Sequence, residues 1–202
     1  MCNLYSSTTS QEAMRQLFAG LDDRTGNLEP REQIYPDQMA PVIRNDGAGQ
    51  VLQLARWGLP TPEYFMRGRN YDKGVTNVRN TGSRHWQRWL GPEHRCLVPV
   101  TSFAEPVKGG NQWFEVPEPA FFAGLFVPDW TSTRKVKDGE TTDDLFAFLT
   151  TEPNEEVAPI HPKAMPVILT DADEWTAWLS ASWADAAALQ RPLADGILNL
   201  IP

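Results

Sequence analysis

The sequence predicts an α+β fold: a single domain over residues 1–202, with a mainly antiparallel, barrel-like β core and a few short helices. Apolar runs of strand length crowd the segment 95–151, helical periodicity is confined to short stretches, and polar loops separate these elements. A chain of 202 residues can bury one substantial core, and its 41% hydrophobic content excludes an intrinsically disordered protein.

In the first half of the chain, most of the length is predicted to be loop. Thr9 and Glu12 have the spacing of a capping box, which predicts a short amphipathic helix after them. Residues 21–50 and 58–82 are rich in Gly, Pro, Asp and Asn and are predicted mostly as loops on either side of a strand at 51–57. Ser83 is predicted to cap another short helix.

The second half is predicted to supply most of the sheet, with strands at 95–100, 112–116, 120–127, 145–151 and 166–170. Residues 108–111 resemble a hairpin tip, and residues 129–144 are predicted to be a polar excursion between two strands. A helix is predicted from Asp171, with Trp175, Trp178 and Leu179 on one face, followed by a short helix at about 182–190.

The charge distribution is uneven. The formal net charge of −8 argues against a general nucleic-acid coat. However, residues 56–95 hold eight basic and three acidic residues, which leaves −13 for the rest. This segment is either a local basic face on an acidic body or an ordinary solvated surface. Without an apolar run of about 20 residues or a leader pattern, we expect a cytoplasmic monomer that binds no membrane.

Two cysteines and three scattered histidines give no pattern for a disulfide framework or a metal site, so we expect no metal and no cofactor. Cys96 lies in an apolar run typical of a buried strand, where a free thiol is usually inert.

Cys2 differs from Cys96 because removal of Met1 would make it the N-terminal residue. Its α-amine, with a pKa of about 7.7–8.0, and its thiol would then form a 1,2-aminothiol. That group can condense with an aldehyde and close a thiazolidine ring, or the thiol can attack a carbonyl with the amine as its base. The alternative interpretation is an incidental residue at a frayed terminus.

Three further segments offer partners for such chemistry. Glu105 follows a predicted strand between apolar residues, a setting that raises a carboxyl pKa and suits a general acid or base. His161 precedes a strand and can carry protons near neutral pH. Asn77 and Arg79 could orient a substrate and bind a phosphate. Each residue also has a purely structural interpretation, as a cap, a salt-bridge partner or a hydrogen-bonding side chain.

Five motifs occur in a fixed order along the chain. They are Cys2 after Met1, Arg56-Trp57-Gly58-Leu59-Pro60, Asn77-x-Arg79, Arg95-Cys96-Leu97-x-Pro99 with Phe103-x-Glu105, and His161 shortly before Met165-Pro166-Val167-Ile168-Leu169. This ordered set closely resembles the SOS-response-associated peptidase (SRAP) family, whose members shield abasic sites in single-stranded DNA. The resemblance extends from Cys2 to about residue 180.

The resemblance implies a barrel-like α+β domain with a basic cleft and a partner, single-stranded DNA with abasic sites. It implies that Cys2 forms a thiazolidine with the ring-opened aldehyde and that Asn77 positions the sugar or the terminal amine. Glu105 would act as acid and base, and His161 would protonate the opening sugar oxygen and assist reversal. The residues assigned to DNA binding are Arg79, Trp57, Arg84, Arg88 and Lys163.

Several positions depart from the family pattern. Leu4 stands where members commonly have an arginine, Pro106 removes an aromatic after the glutamate, and Lys163 replaces an arginine after the histidine. These changes leave a second hypothesis open, a thiol-dependent peptidase or amidohydrolase of the N-terminal nucleophile type. A third is a non-catalytic binding module, in which Cys2 and Glu105 would be replaceable.

Overall fold

The computed structural model describes residues 2–201. Its strands are β1 (Tyr5–Ser7), β2 (Asp22–Asp23), β3 (Arg31–Ile34), β4 (Met39–Asn45), β5 (Gln50–Trp57), β6 (Asn77–Val78), β7 (Arg95–Pro99), β8 (Ser102–Val107), β9 (Gly110–Glu115), β10 (Phe121–Thr133), β11 (Glu140–Thr151), β12 (Met165–Pro166), β13 (Ile168–Leu169) and β14 (Asn199–Ile201). Its helices are α1 (Gln11–Leu17), α2 (Glu63–Met66), α3 (Arg84–Gln87), α4 (Ala172–Ser180) and α5 (Trp183–Ala186).

Five strands close into a barrel. The antiparallel order β11-β10-β7-β4-β5 is completed by parallel pairing of β5 with β11, where Trp57 lies opposite Phe146. A second, five-stranded sheet has the order β14-β9-β8-β1-β3. The predicted α+β class with a barrel-like, mainly antiparallel core is therefore confirmed.

Residues 121–127 of β10 and 145–151 of β11 are buried on both faces of the barrel, which explains their nearly continuous apolar sequences. On β11, Phe146 and Phe148 belong to one apolar cluster, shared with the second sheet. Ala147 and Leu149, which alternate with them, belong to another that includes residues of α1 and α4. Because successive side chains of a strand point to opposite faces, one strand joins the two clusters.

Helix α4 follows its prediction closely. The Asp171 side chain caps it by accepting a hydrogen bond from the backbone N–H of Asp173 at 2.8 Å. Trp175, Trp178 and Leu179 are buried on one face.

Some boundaries were wrong. Residues 21–50, predicted mostly as loop, contain β2, β3 and β4. Pro41 lies inside β4, at a position where the strand pairs with β5 and not with β7. Proline is tolerated where a strand is not paired on both sides. The polar segment 129–144 is largely an extension of β10 and β11, joined by the hydroxyls of Thr131 and Thr142 at 2.7 Å. Ser10, not Thr9, caps α1.

Within residues 2–201, no helix is long and apolar enough to cross a membrane. The same part of the chain holds no group of three or more His, Cys, Asp or Glu side chains placed to bind a metal ion.

Candidate active site

The N-terminal segment is fixed in the second sheet by β1, which pairs with β3 on one side and β8 on the other. The backbone N–H of Ala104 donates to the Leu4 carbonyl at 2.9 Å, just before β1 begins. Cys2 is only 1% exposed and packs in the cluster that fills the space between the barrel and the second sheet. Cys2 is therefore an ordered part of the core, and the frayed-end interpretation does not apply to it.

Burial raises the pKa of the Cys2 thiol to about 12, and the negative charge of Glu105 acts in the same direction. The Cys2 Sγ donates a hydrogen bond to the Leu4 carbonyl at 3.4 Å. At neutral pH the thiol is consequently protonated in the full chain, and its activation requires a group that accepts the proton.

Asn77 holds the backbone of Cys2. Its Nδ2 donates to the Cys2 carbonyl at 2.8 Å and to the Thr76 hydroxyl at 2.8 Å, and that hydroxyl donates to Asn3 Oδ1 at 2.9 Å. Strand β6 positions Asn77 by parallel pairing with β11, opposite Phe148. The two residues that follow the initiator are thus tied to one edge of the barrel.

Glu105 projects from β8, where it lies opposite Gln112 of β9, and it is fully buried. Burial raises its pKa, and the nearby charge of His161 opposes part of that shift. Since Glu105 acts on both Cys2 and His161 electrostatically, the three ionisable groups lie in one low-dielectric region.

His161 lies in the connection from β11 to β12, held by donation of its backbone N–H to the Val157 carbonyl at 2.8 Å. Its Nδ1 is 2.7 Å from the Ala164 carbonyl and 3.2 Å from the Ala164 N–H. Only one tautomer satisfies each contact, and the shorter distance favours Nδ1–H as donor to the carbonyl. That tautomer leaves Nε2 as the ring nitrogen that accepts protons.

The structure thus brings Cys2, Asn77, Glu105 and His161 into one region. Strand β11 is central to it, because β6 pairs along β11 and the His161 connection leaves its end. The residues predicted to bind DNA are more dispersed.

Arg79 and Lys163 are exposed and follow Asn77 and His161 closely in the chain. The Arg79 guanidinium forms an ion pair with Glu152 at 3.2 Å. Arg84 and Arg88, also exposed, line a separate cleft beside α2 and α3.

The assignment of Trp57 to DNA binding must be corrected, because the ring has no exposed face on which a base could stack. Its indole is fully buried, Nε1 donates to the Thr76 carbonyl at 3.0 Å, and the ring packs between Tyr5, Phe146 and Phe148. Trp57 therefore supports the strand segment that carries Thr76 and Asn77 from inside the core.

Sequence reasoning missed two other features of this surface. Gln190 donates to the Arg79 carbonyl at 2.8 Å and to the Thr150 carbonyl at 3.0 Å, which ties the Arg79 loop to β11. Tyr64 and Phe65 are 68% and 62% exposed, with the Arg67 guanidinium 5.0 Å from the Tyr64 ring. Two adjacent aromatics before an arginine in a Pro- and Gly-rich loop were the available signal for the second feature.

Comparisons with known proteins identify the family of the chain and several relatives. The family model described as SOS response associated peptidase (SRAP) matches residues 1–201. Abasic site processing protein YoqW of Bacillus subtilis (strain 168) is 28% identical over 184 residues, covering 83% of this chain and 75% of that protein. Abasic site processing protein YoaM of the same organism is 28% identical over 162 residues, covering 77% and 68%.

Two solved structures share the fold. A protein from Bacteroides thetaiotaomicron superposes with a TM-score of 0.75 at 20% identity, over 98% of this chain and 90% of that one. A protein from Bordetella bronchiseptica gives a TM-score of 0.71 at 20% identity, over 98% of both chains.

Proposed function

The chain belongs to the SOS response associated peptidase family, and we propose that it processes abasic sites by capturing them covalently in single-stranded DNA through Cys2. The observation that carries the proposal is the contact of Asn77 Nδ2 with the Cys2 carbonyl, beside the buried Glu105. The names of the relatives YoqW and YoaM support the substrate.

The reaction begins once Met1 has been removed and the α-amine of Cys2 is free. In its neutral form, the amine attacks the aldehyde carbon of the ring-opened abasic sugar, and loss of water gives an imine. The Cys2 sulfur then adds to the imine carbon while the thiol proton is transferred to the imine nitrogen. A five-membered thiazolidine results, with water as the only other product.

Glu105 is suited to move the protons of both steps. As the acid it protonates the departing hydroxyl, and as the carboxylate it accepts the thiol proton and returns it to nitrogen. Because burial raises its pKa, Glu105 holds a proton closer to neutral pH than an ordinary glutamate does. Glu105 is therefore the group that can remove the proton from the buried Cys2 thiol, whose pKa is high.

His161 is assigned the proton transfer to and from the ring oxygen of the abasic sugar. The abasic sugar opens to its aldehyde form when the bond between C1 and the ring oxygen breaks, the ring oxygen gains a proton from His161 and the C1 hydroxyl loses its proton to solvent. Removal of the proton from that oxygen assists reversal. Its hydrogen bond to the Ala164 carbonyl orients the ring for that exchange. Arg79 and Lys163 supply positive charge for the phosphates on either side.

The test is an intact mass measurement of purified protein before and after incubation with an abasic single-stranded oligonucleotide. We expect a species without Met1 and a covalent adduct that Cys2→Ala abolishes. Cys96→Ala is the matched control, because it removes the other buried thiol and should leave the adduct intact. Absence of adduct from protein that lacks Met1, over a range of salt concentrations, would refute the substrate assignment. Cys2-dependent turnover of a peptide, unaffected by abasic DNA, would favour the peptidase hypothesis instead.

A further inference from the structure

A second cleft, with a volume of about 680 Å³, opens beside α2 and α3. We name it the arginine cleft, after Arg69, Arg84 and Arg88, which line it together with Met66 and Trp130. None of the residues assigned above to covalent chemistry lines this cleft, so its composition calls for a separate explanation.

The three arginines outnumber the two carboxylates that also line the cleft, those of Glu63 and Asp72. Each arginine is exposed, and among residues 2–201 no ion pair within 4.0 Å joins any of them to a carboxylate. Arg56, by contrast, is paired with Asp143 at 3.0 Å. The chain has a net charge of −8, so a group of guanidinium side chains without ion pairs forms a local positive surface that attracts an anion.

Asp72, the buried carboxylate of the cleft, forms its hydrogen bonds with the loop and not with the three arginines. Asp72 accepts from the Thr61 N–H at 3.0 Å, from the Thr61 hydroxyl at 2.5 Å and from the Gly74 N–H at 2.8 Å. It therefore fixes the loop that forms one wall of the cleft.

The cleft also has an aromatic wall. The Arg88 guanidinium lies 3.9 Å from the centroid of the Trp89 ring and 6.0 Å from that of Trp130, which is half-buried. Guanidinium and indole planes offer stacking surfaces for a base, while the outer arginines offer hydrogen bonds to a phosphate. A base and a phosphate together are the two parts of a nucleotide.

The arginine cleft adjoins a groove that lies near Cys2. Tyr71 and Asp72 line both this cleft and the adjoining groove, of about 460 Å³. That groove is also lined by Asn3 and Thr76, the chain neighbours of Cys2 and Asn77. A single strand that occupies the groove therefore has the arginine cleft as its neighbour.

We propose that the arginine cleft binds a nucleotide of the same single strand whose abasic site reacts with Cys2, at a position away from the reacting sugar. This inference rests on the proposed function for the identity of the strand. It adds a binding subsite that contributes affinity and not chemistry.

The test compares Arg69→Ala/Arg84→Ala with the wild type and with Arg15→Ala/Arg24→Ala. The control removes the same charge from α1 and the β2 region, and its arginines do not line the cleft. Binding is measured against salt concentration with an unreactive reduced abasic analogue, in an oligonucleotide of about 15 nucleotides and in a trinucleotide. Loss of two phosphate contacts should reduce the slope of log K against log salt by about 1.4 on the long strand. Trinucleotide affinity should fall less than the affinity for the long strand.

The outcomes separate the two proposals. Wild-type adduct formation combined with an unchanged slope in the cleft variant, or with equal losses on the long and short strands, would overturn the cleft assignment. A free deoxynucleotide monophosphate that binds the cleft as tightly as the long strand would also overturn it, in favour of a free nucleotide. Absence of adduct from the wild type refutes the proposed function, whereas the slope on undamaged strand still tests the cleft.

Discussion

Replacement of Asn77 by alanine should slow adduct formation although it leaves the ionisable groups in place. The Asn77 side chain is 7% exposed, and its Nδ2 donates to the Cys2 carbonyl at 2.8 Å. Truncation removes that hydrogen bond and leaves a buried carbonyl without its donor, at a cost of about 1–3 kcal/mol. If the whole loss falls on the transition state, the rate falls by about 5- to 150-fold, at about 1.4 kcal/mol for each factor of ten.

The assay is the single-turnover rate of adduct formation at saturating abasic oligonucleotide, followed on a denaturing gel. Asn77→Asp should lose at least as much rate, because it places an oxygen against the Cys2 carbonyl in the same volume. Asn45→Ala is the matched control, since Asn45 Nδ2 donates to the Leu179 carbonyl at 3.0 Å, on a different part of the structure. A wild-type rate in Asn77→Ala, or an equal loss in Asn45→Ala, would refute the positioning role.

Three further changes have defined outcomes. Because burial raises the pKa of Glu105 above its ordinary value of 4.5, the stability of the wild type falls as pH rises from that value through the raised pKa. Glu105→Gln removes this penalty, so its gain in unfolding free energy, about 1.4 kcal/mol for each pH unit by which folding raises the pKa, should be present in urea titrations at pH 8 and absent at pH 4. Glu152→Gln frees Arg79 from an exposed ion pair and should tighten binding to single-stranded DNA by up to about fivefold in a titration at low salt; unchanged or weaker binding would contradict this. Gly74→Ala should destabilise the protein by about 1–3 kcal/mol, because a Cβ at its φ of +76° would lie 2.9 Å from a facing backbone carbon. Gly26→Ala, at φ +71° with open space around it, should cost clearly less in the same unfolding experiment.

The elements that the sequence predicted well are those whose local pattern and environment agree. The Asp171 cap and the apolar face of α4 are readable because 3.6-residue periodicity and a capping carboxylate occur together. The outer halves of β10 and β11 are polar on both sides, so nothing in their composition distinguishes a solvated hairpin from a loop. Pairings such as Thr131 with Thr142 exist only between chain segments, which a single-sequence pattern does not report.

In the candidate site, too, some features could be predicted from the sequence and others depend on the fold. The chemistry of Cys2 follows from its position in the chain, but its contact with Asn77 depends on parallel pairing of β6 with β11. Only the order of the motifs connected Glu105 and His161 to it. The error at Trp57 has a physical origin, since an indole beside a loop is compatible with both a stacking surface and a core position. The arginine cleft was visible only as a basic composition, because its shape depends on how α2 and α3 pack.

The central place of β1 has a practical consequence for how the protein is produced. Strand β1 lies between β8 and β3, and Cys2 just before it is buried. Residues fused ahead of Met1 would prevent its normal removal and would keep the Cys2 nitrogen in an amide bond, and they would extend the chain directly before the buried Cys2. An affinity tag at that end would therefore abolish adduct formation by itself and imitate an inactive protein. A tag after β14, whose residues are exposed at the edge of the sheet, avoids both effects and leaves the first residue to be processed normally.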